Sequence, residues 1–212
     1  MDSLATTLGD GTDVCLYGER ALEVTAERSL LIADLHLGKE DLFRRGGISV
    51  PQGPTDNDLV RLTALIALSA PERLLVLGDF VHGAIHDAPW LTAWQRWRSA
   101  HRELAVVVVA GNHDRQVDAT HIGAFDVEWR RGDVTLGSLL LRHEPGIDAT
   151  RHVIAGHLHP GLRLPGISRS LPAFVLGSRT SILPAFASFS GCARVPRGER
   201  MVVCRGGVLV EV

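Results

Sequence analysis

Short apolar runs rich in Val, Leu and Ile alternate with mixed polar segments along this chain. Near the start, residues 14–17, 21–25 and 29–33 predict three strands that are separated by short polar turns. Residues 74–77 and 104–110 are apolar throughout, as expected for central strands that are covered on both faces. The pattern therefore predicts a buried β-sheet.

Two segments between these runs have helical periodicity. The first begins near residue 56, where Thr55 or Asp56 is the expected N-cap, and it ends before Pro71. The second covers residues 88–103 and carries a stripe of tryptophans at i, i+4 and i+7, namely Trp90, Trp94 and Trp97. Such a stripe suits the stacking of nucleic-acid bases, but we expect it to pack against the sheet.

Beyond residue 125 the pattern predicts mainly strands. They cover residues 125–129, 134–136, 139–142, 153–155 and 174–176, followed by a hairpin of 201–204 with 208–212. The Pro/Gly-rich segments 46–54 and 161–172 predict loops that contact substrate. Helices in the first half and strands in the second indicate an α/β fold of two packed sheets flanked by helices.

The sequence has 212 residues, of which 45% are hydrophobic, so we expect one globular domain that spans residues 1–212. No apolar run approaches the roughly 18 residues that a membrane span needs, and the N-terminus lacks the layout of a signal peptide. Cys15, Cys192 and Cys204 are an odd, scattered set, which predicts reduced thiols rather than disulfides. These features predict a cytoplasmic protein with no membrane partner.

The net charge of −2 does not indicate a dedicated nucleic-acid binder. The segment from Gly161 to the end is nevertheless net positive, because it holds seven arginines against two acidic residues. Lys39 is the one lysine of the chain, so the other basic residues are all arginines. The arginine fork matches phosphate oxygens, although such a bias is more typical of genomic base composition than of phosphate binding.

Five polar motifs follow apolar runs, where strands are expected to end. In chain order they are Asp34-x-His36, Gly78-Asp79, Gly111-Asn112-His113-Asp114, His143 and Gly156-His157-x-His159. Open α/β sheets place their functional sites at strand ends, so we expect these side chains to converge. Each motif alone is weak, but the ordered set predicts a two-metal site for phosphoester hydrolysis.

Two divalent ions about 3.5 to 4 Å apart bind phosphate and lower the pKa of a bridging water from 15.7 toward about 7. Their mutual repulsion calls for a shared carboxylate, for which Asp79 is the candidate. We expect Asp34, His36 and His159 to complete one site, because residues i and i+2 of a strand end point the same way. The other site would then hold Asn112, His143 and His157. This mixed ligand set favours Mn²⁺, Fe or Zn²⁺ over Ca²⁺.

His113 is left without a metal role and is the candidate general acid, with Asp114 or a neighbour fixing its tautomer. Lys39, Arg44 and Arg45 follow the first motif closely enough to contact a polyanionic substrate. For Arg44 and Arg45, solvated surface charge is an equally good interpretation.

The five motifs, in this order, resemble the calcineurin-like metallophosphoesterase superfamily, with its D-x-H, G-D-x-x-D, G-N-H-[DE], H and G-H-x-H pattern. The resemblance implies a four-layer α/β/β/α sandwich and a dinuclear centre that is usually active with Mn²⁺. It also implies ligand roles for the seven residues above and a phosphate-facing role for His113. His82 stands where the pattern has its second Asp. It could contact phosphate or pair with His113, and the orienting task would then fall to Asp114.

Segments outside these motifs resemble the bacterial ligase-associated DNA damage response phosphoesterases. They are residues 17–22, 32–39, 43–51, 143–145 and 183–191. This resemblance implies a Mn²⁺-dependent phosphodiesterase or endonuclease in DNA repair, associated with an ATP-dependent DNA ligase system. Two alternatives remain open. One is the same chemistry on a nucleotide or other small phosphoester, and the other is a scaffold whose metals serve the fold.

Overall fold

Two mixed β-sheets stack face to face in this protein. The computed structural model describes residues 1–50, 53–85, 88–194 and 200–212. Within these residues the first sheet is ordered β1 to β7 as in the sequence, antiparallel from β1 to β4 and parallel from β4 to β7. Its strands are β1 Ser3–Thr7, β2 Asp13–Tyr17, β3 Ala21–Val24, β4 Ser29–Ala33, β5 Arg73–Leu77, β6 Ala105–Val109 and β7 Glu128–Arg130.

The second sheet is built from the C-terminal part of the chain. Its strands are β8 Val134–Leu136, β9 Leu139–Leu141, β10 His152–Ala155, β11 Pro160–Leu162, β12 Leu171–Leu176, β13 Thr180–Ile182, β14 Ala193–Arg194, β15 Arg200–Arg205 and β16 Val208–Glu211. They follow the order β14-β11-β12-β13-β10-β9-β8, and β15 joins β12 to β16. The pairs β9–β10 and β10–β13 are parallel, whereas β8–β9 and β12–β13 are antiparallel.

Alternation along the strands divides the core between two layers. Leu30 and Ile32 of β4 face the helices, whereas Leu31 and Ala33 face the second sheet. The described α-helices are α1 Lys39–Arg45, α2 Pro54–Ser69, α3 Pro89–Ala100 and α4 Ala119–Phe125. Leu162 at the end of β11, together with Leu164 and Ile167 of the following loop, packs against a separate cluster of buried residues in the second sheet. The expected α/β architecture of two mixed sheets flanked by helices is confirmed.

None of the described helices combines the length and the apolar character that a membrane crossing requires.

Several elements differ from the sequence-based expectation. Helix α2 begins at Pro54, and Thr55 does not cap it, because its amide and hydroxyl both donate to Glu40 Oε1. Phe125 ends α4 rather than starting a strand. Helices α1 and α4 and strands β1, β11, β13 and β14 were not predicted, since each is short and sets up little periodicity.

The two predicted loops also need correction. The ends of segment 161–172 belong to β11 and β12, so the loop between them is shorter than expected. Segment 46–54 includes residues 51 and 52, which lie outside the described part of the chain, and its last residue starts α2. Residues 46–49 of this segment are exposed.

The tryptophan stripe of α3 packs inside the protein, as expected. Trp94 is fully buried, stacks on Trp97, meets Phe80 edge to face and donates its indole N–H to the Phe125 carbonyl at 2.8 Å. Trp94→Ala should therefore lower the free energy of unfolding by about 3–5 kcal/mol, through lost packing and a residual cavity. Urea denaturation followed by circular dichroism measures this. Thr92→Ala, on the exposed face of α3, should change stability by less than about 0.5 kcal/mol.

Candidate metal centre

The predicted ligands meet at one edge of the stacked sheets. Asp34, Asp79 and Asn112 follow the parallel strands β4, β5 and β6. His143 and His157 follow the parallel strands β9 and β10 of the second sheet. The carboxyl ends of parallel strands lie at the same edge, so both sheets present their polar loops to a common cleft.

Backbone hydrogen bonds hold the first two ligand loops side by side beyond the strands. The Asp34 amide donates to the Gly78 carbonyl at 3.2 Å, and the His36 amide donates to the Asp79 carbonyl at 2.8 Å. A bridge between Leu37 and Val81 continues the parallel pairing. The loops after β4 and β5 are therefore fixed relative to each other.

Five of the predicted ligands have left-handed backbone conformations. They are Asp34 (φ 55°), His36 (φ 51°), Asp79 (φ 47°), His157 (φ 68°) and His159 (φ 46°). Non-glycine residues rarely adopt this region, and each such residue costs of order 1–3 kcal/mol, typically at functional sites. Gly78 is required for close approach, since a Cβ there would lie 1.9 Å from His143 Nδ1.

The first ligand group brings together Asp34, His36, Asp79 and His159, with one atom from each within 4.8 Å of the others. The Nε2 atoms of His36 and His159 lie 3.1 Å apart. His159 Nε2 is also 3.6 Å from Asp34 Oδ1. These nitrogen and oxygen atoms point toward one small volume.

The second ligand group consists of Asp79, His143 and His157, within the same distance of one another. His143 Nε2 lies 2.9 Å from Asn112 Oδ1, 3.0 Å from His157 Nδ1 and 3.4 Å from Asp79 Oδ1. Asp79 thus belongs to both groups. The structure brings the seven predicted ligands together in the grouping that the sequence suggested.

The far sides of two imidazoles are also occupied. His143 Nδ1 donates to the Leu77 carbonyl at 3.2 Å, which leaves Nε2 as its acceptor atom. The Nδ1 atoms of His36 and His82 share a hydrogen bond of 3.1 Å. Burial, reinforced by nearby Lys39 and other imidazoles, lowers the pKa of His36 far below its usual range and keeps it neutral. A neutral imidazole with its second nitrogen anchored is the form that binds metal.

The charges of the site fit divalent cations. Asp34 and Asp79 are 0% and 2% exposed. Within the described residues, the ion-pair partners of these two carboxylates are imidazoles, without an arginine or lysine within 4.0 Å. Buried carboxylates require a compensating cation. Two metal ions in the shared cleft would supply it, and the mixed nitrogen and oxygen donors suit transition metals.

His113 lies beside these groups but remains accessible. Its side chain is 43% exposed, and its ring Nε2 is 3.9 Å from Asp79 Oδ2. The backbone amide of His113 donates to Asp79 Oδ1 at 2.9 Å, which fixes the residue relative to the shared carboxylate. His113 can therefore meet a substrate bound at the cleft.

Asp114 does not hold the His113 ring, contrary to our expectation. Its carboxylate accepts the backbone amides of Gly111, Phe80 and Val81 at 2.8, 3.2 and 2.9 Å. Burial raises the pKa of Asp114 to about 6, although these three donors oppose the shift. Because all three amides belong to the loops after β5 and β6, Asp114 fastens those loops together.

His82 makes a ring contact with His113, one of the two roles that the sequence left open for it. The rings of His82 and His113 lie 4.0 Å apart, centroid to centroid. Burial, followed by the charge of His113, lowers the pKa of His82 to about 4. His82 thus contacts His113 and the ligand His36 at once. The departure from the family pattern at this position was the sequence signal for a distinct role.

The three predicted substrate contacts occupy different environments. Lys39 is half-buried, and its Nζ donates to Ser190 Oγ at 3.2 Å. Burial lowers the pKa of Lys39, while Asp34 and Asp79 oppose the shift, which indicates that Lys39 lies close to the ligand groups. Ser190 lies in segment 183–191, which carried the resemblance, but no role was predicted for it.

The two arginines lie in the last turn of α1, whereas Lys39 begins this helix. Arg44 pairs with Asp41 one turn earlier, so its charge is partly neutralised, whereas Arg45 is exposed.

Comparisons with known proteins agree with this site. Residues 28–148 match the model of the calcineurin-like phosphoesterase family, and a search of curated proteins gave no significant match. Among solved structures, the nuclease MPE of Pseudomonas putida is 32% identical, with a TM-score of 0.87 and 100% of both chains covered.

Two other solved structures are less similar to this chain. Yfce, a phosphoesterase from E. coli, is 16% identical, with a TM-score of 0.48 over 87% of this chain and 97% of that one. A protein of unknown function, AQ665 from Aquifex aeolicus, is 20% identical, with a TM-score of 0.43 over 66% and 82%. On the family match and the full-length similarity to the nuclease, the chain belongs to the calcineurin-like phosphoesterase family and is a metal-dependent phosphoesterase.

Proposed function

We propose that this phosphoesterase is a dinuclear phosphodiesterase that cleaves DNA and acts in bacterial DNA repair beside an ATP-dependent DNA ligase. The observation that carries the chemistry is the pair of ligand groups that share Asp79, with the accessible His113 beside them. The full-length similarity to a bacterial nuclease supports a nucleic-acid substrate. The ligand set supports Mn²⁺, with Fe or Zn²⁺ as alternatives.

We further propose that residues 1–212 act as one domain in the cytoplasm. Both sheets supply ligands to the same cleft, so neither sheet could form the site alone. Cys15, Cys192 and Cys204 are free thiols, as is usual in a reducing compartment.

Two bound divalent ions would neutralise the phosphoryl oxygens and supply a nucleophilic water at neutral pH. The protein's own groups hold and protonate the substrate. Lys39, beside the carboxylates, supplies positive charge at the edge of the cleft. The exposed imidazole of His113 is placed to donate a proton to the leaving oxygen, and Asp79 fixes its backbone. His82 supports the His113 ring from one side by direct contact.

The competing proposal is the same chemistry on a nucleotide or another small phosphoester, which the net charge of −2 favours. The two proposals differ in their salt dependence. DNA binding should weaken steeply with salt, with a log-log slope of about −0.7 per phosphate contacted on single strands. Measuring DNA cleavage from 50 to 200 mM KCl tests this. An aryl phosphodiester, which has only one phosphate, is the control. A flat response with DNA, or much faster turnover of a nucleotide diester, would support the small substrate.

Activity should fade below about pH 6, since imidazole ligands must be neutral to bind metal. As pH falls, an imidazole ligand binds a proton through the lone pair that would hold the metal, so the metal dissociates and activity is lost. Burial lowers the pKa of His36, so this ligand should be among the last to protonate. A pH profile of kcat/KM with parallel metal analysis measures the effect. A rate that stayed level down to pH 5 would contradict imidazole ligation.

A further inference from the structure

A polar cavity opens next to the ligand groups. It has a volume of about 410 Å³ and is walled by three arginines, Arg20, Arg169 and Arg205, together with the hydroxyls of Ser188 and Ser190. Among the described residues that line it there is no aspartate or glutamate. The cavity therefore presents cationic and hydroxyl donors without a competing anion.

The cavity is tied directly to the metal ligands through one segment of chain, residues 187–193. At one end, the Ala187 amide donates to the Asp34 carbonyl at 3.3 Å, and at the other the Ala193 amide donates to the His159 carbonyl at 2.9 Å. Between these ends, Ser190 receives the hydrogen bond from Lys39. The segment thus forms part of the cavity wall while its ends hold two residues of the first ligand group.

Arg20 is held in place at the cavity wall. Its Nη1 donates to the carbonyls of Ala185 and Ala187 at 3.3 and 3.0 Å, and its backbone has a left-handed φ of 68°. The carbonyls are neutral, so they orient the guanidinium without neutralising its charge. Arg169 and Arg205 are exposed, and neither has an ion pair within the described residues.

The nearest acidic groups are already paired elsewhere. Glu19 and Asp58 both bind Arg61, at 2.6 Å in each case. Asp58 also accepts the Ser188 amide at 2.9 Å, so it holds the wall segment from behind. Arg61 neutralises only one of these two carboxylates, but Arg20, Arg169 and Arg205 add three positive charges, so the cavity and the groups behind it remain net positive.

We propose that this cavity binds a backbone phosphate of the nucleic-acid strand, next to the nucleotide whose ester bond is cleaved. The inference rests on the proposed DNA-cleaving function and extends it. Guanidinium forks and hydroxyls without carboxylates are the donor set for phosphate oxygens. Lys39 and Ser190 connect the cavity to the ligand groups, so a strand that runs from the metal centre meets positive charge along its path. A substrate without a neighbouring phosphate cannot use these contacts.

The test compares Arg169→Ala and Arg205→Ala, singly and together, in the full chain. Arg102→Ala is the matched control, an exposed arginine before β6, at the opposite end of the first sheet from the ligands. Each variant is assayed with a single-stranded 12-mer and with an aryl phosphodiester, and 12-mer binding is measured by fluorescence anisotropy across a KCl series. The ratio of kcat/KM for the 12-mer to that for the aryl diester should fall about tenfold for each arginine removed. The salt slope should fall by about 0.7 per lost contact.

The outcomes separate the two proposals. If the wild-type protein cleaves the 12-mer but both arginine variants match Arg102→Ala in ratio and salt slope, the cavity is not a phosphate site and the nuclease function stands. If the wild-type protein hydrolyses the aryl diester but neither binds nor cleaves the 12-mer, both proposals are wrong. Equal losses for a trinucleotide, which has one phosphate beside the scissile ester, and the 12-mer would support a single neighbouring phosphate. A loss for the 12-mer alone would overturn the adjacent position.

Discussion

Asp79→Asn should release at least one metal ion and lower phosphodiester hydrolysis about a thousandfold. Asp79 contributes an oxygen to both ligand groups. Its negative charge would therefore offset the repulsion between the two metal ions. Asparagine retains an oxygen that can accept the His113 amide, which Asp79 now does at 2.9 Å. The substitution therefore removes the charge while preserving the local shape, and the loss reports on the metals rather than on folding.

Elemental analysis of the purified variant, together with its turnover of an aryl phosphodiester, measures this effect. Asp56→Asn is the matched control, because Asp56 is an exposed carboxylate on α2 away from the ligands, and it should keep both metal and activity. Full metal content in Asp79→Asn would show that the carboxylate is not shared between two ions.

His113→Ala should lower hydrolysis by about 10² to 10⁴ while metal content stays unchanged. The imidazole is accessible and belongs to neither ligand group, so its removal takes away a proton donor without opening a coordination position. The loss should be smaller for a substrate with a good leaving group such as nitrophenolate, which needs little protonation. That dependence distinguishes a general acid from a residue that only supports the fold.

The comparison of two substrates with good and poor leaving groups, at matched metal content, tests the role. His101→Ala serves as the control, since His101 follows α3 at the far end of the first sheet and stacks on Trp97. Unchanged turnover by His113→Ala would remove the acid from the mechanism.

The ligand positions could be predicted because each follows an apolar run. A β-branched run that ends in a polar motif indicates a strand end, and parallel strands bring their carboxyl ends to one edge. Asp34 and Asp79 were predicted to lie close together on this basis. Backbone hydrogen bonds between their loops bring the two residues side by side. The two packed sheets flanked by helices also followed from the change from helices to strands along the chain.

The supporting contacts could not be predicted, because they depend on which loops pack together. Asp114 has the sequence of an orienting carboxylate, yet three backbone amides occupy its oxygens. From the sequence, His82 could pair with His113 or contact phosphate, and only the packing of the loops selects the ring contact. The hydrogen bond of Lys39 to Ser190 likewise depends on how two distant loops pack. Short elements such as α1 and β1 were missed because their stability comes from tertiary packing rather than from periodicity.

The sequence by itself determined which candidate ligands the chain carries, their order, and the prediction that Asp79 is shared between two ions. These are local properties, because the type of a residue and its position after an apolar run can both be read from the sequence. The tertiary structure decided what surrounds that chemistry, including the partner of His113, the role of Asp114 and the arginine-walled cavity beside Ser190. Those depend on contacts between residues distant in sequence, where the folded backbone sets the distances.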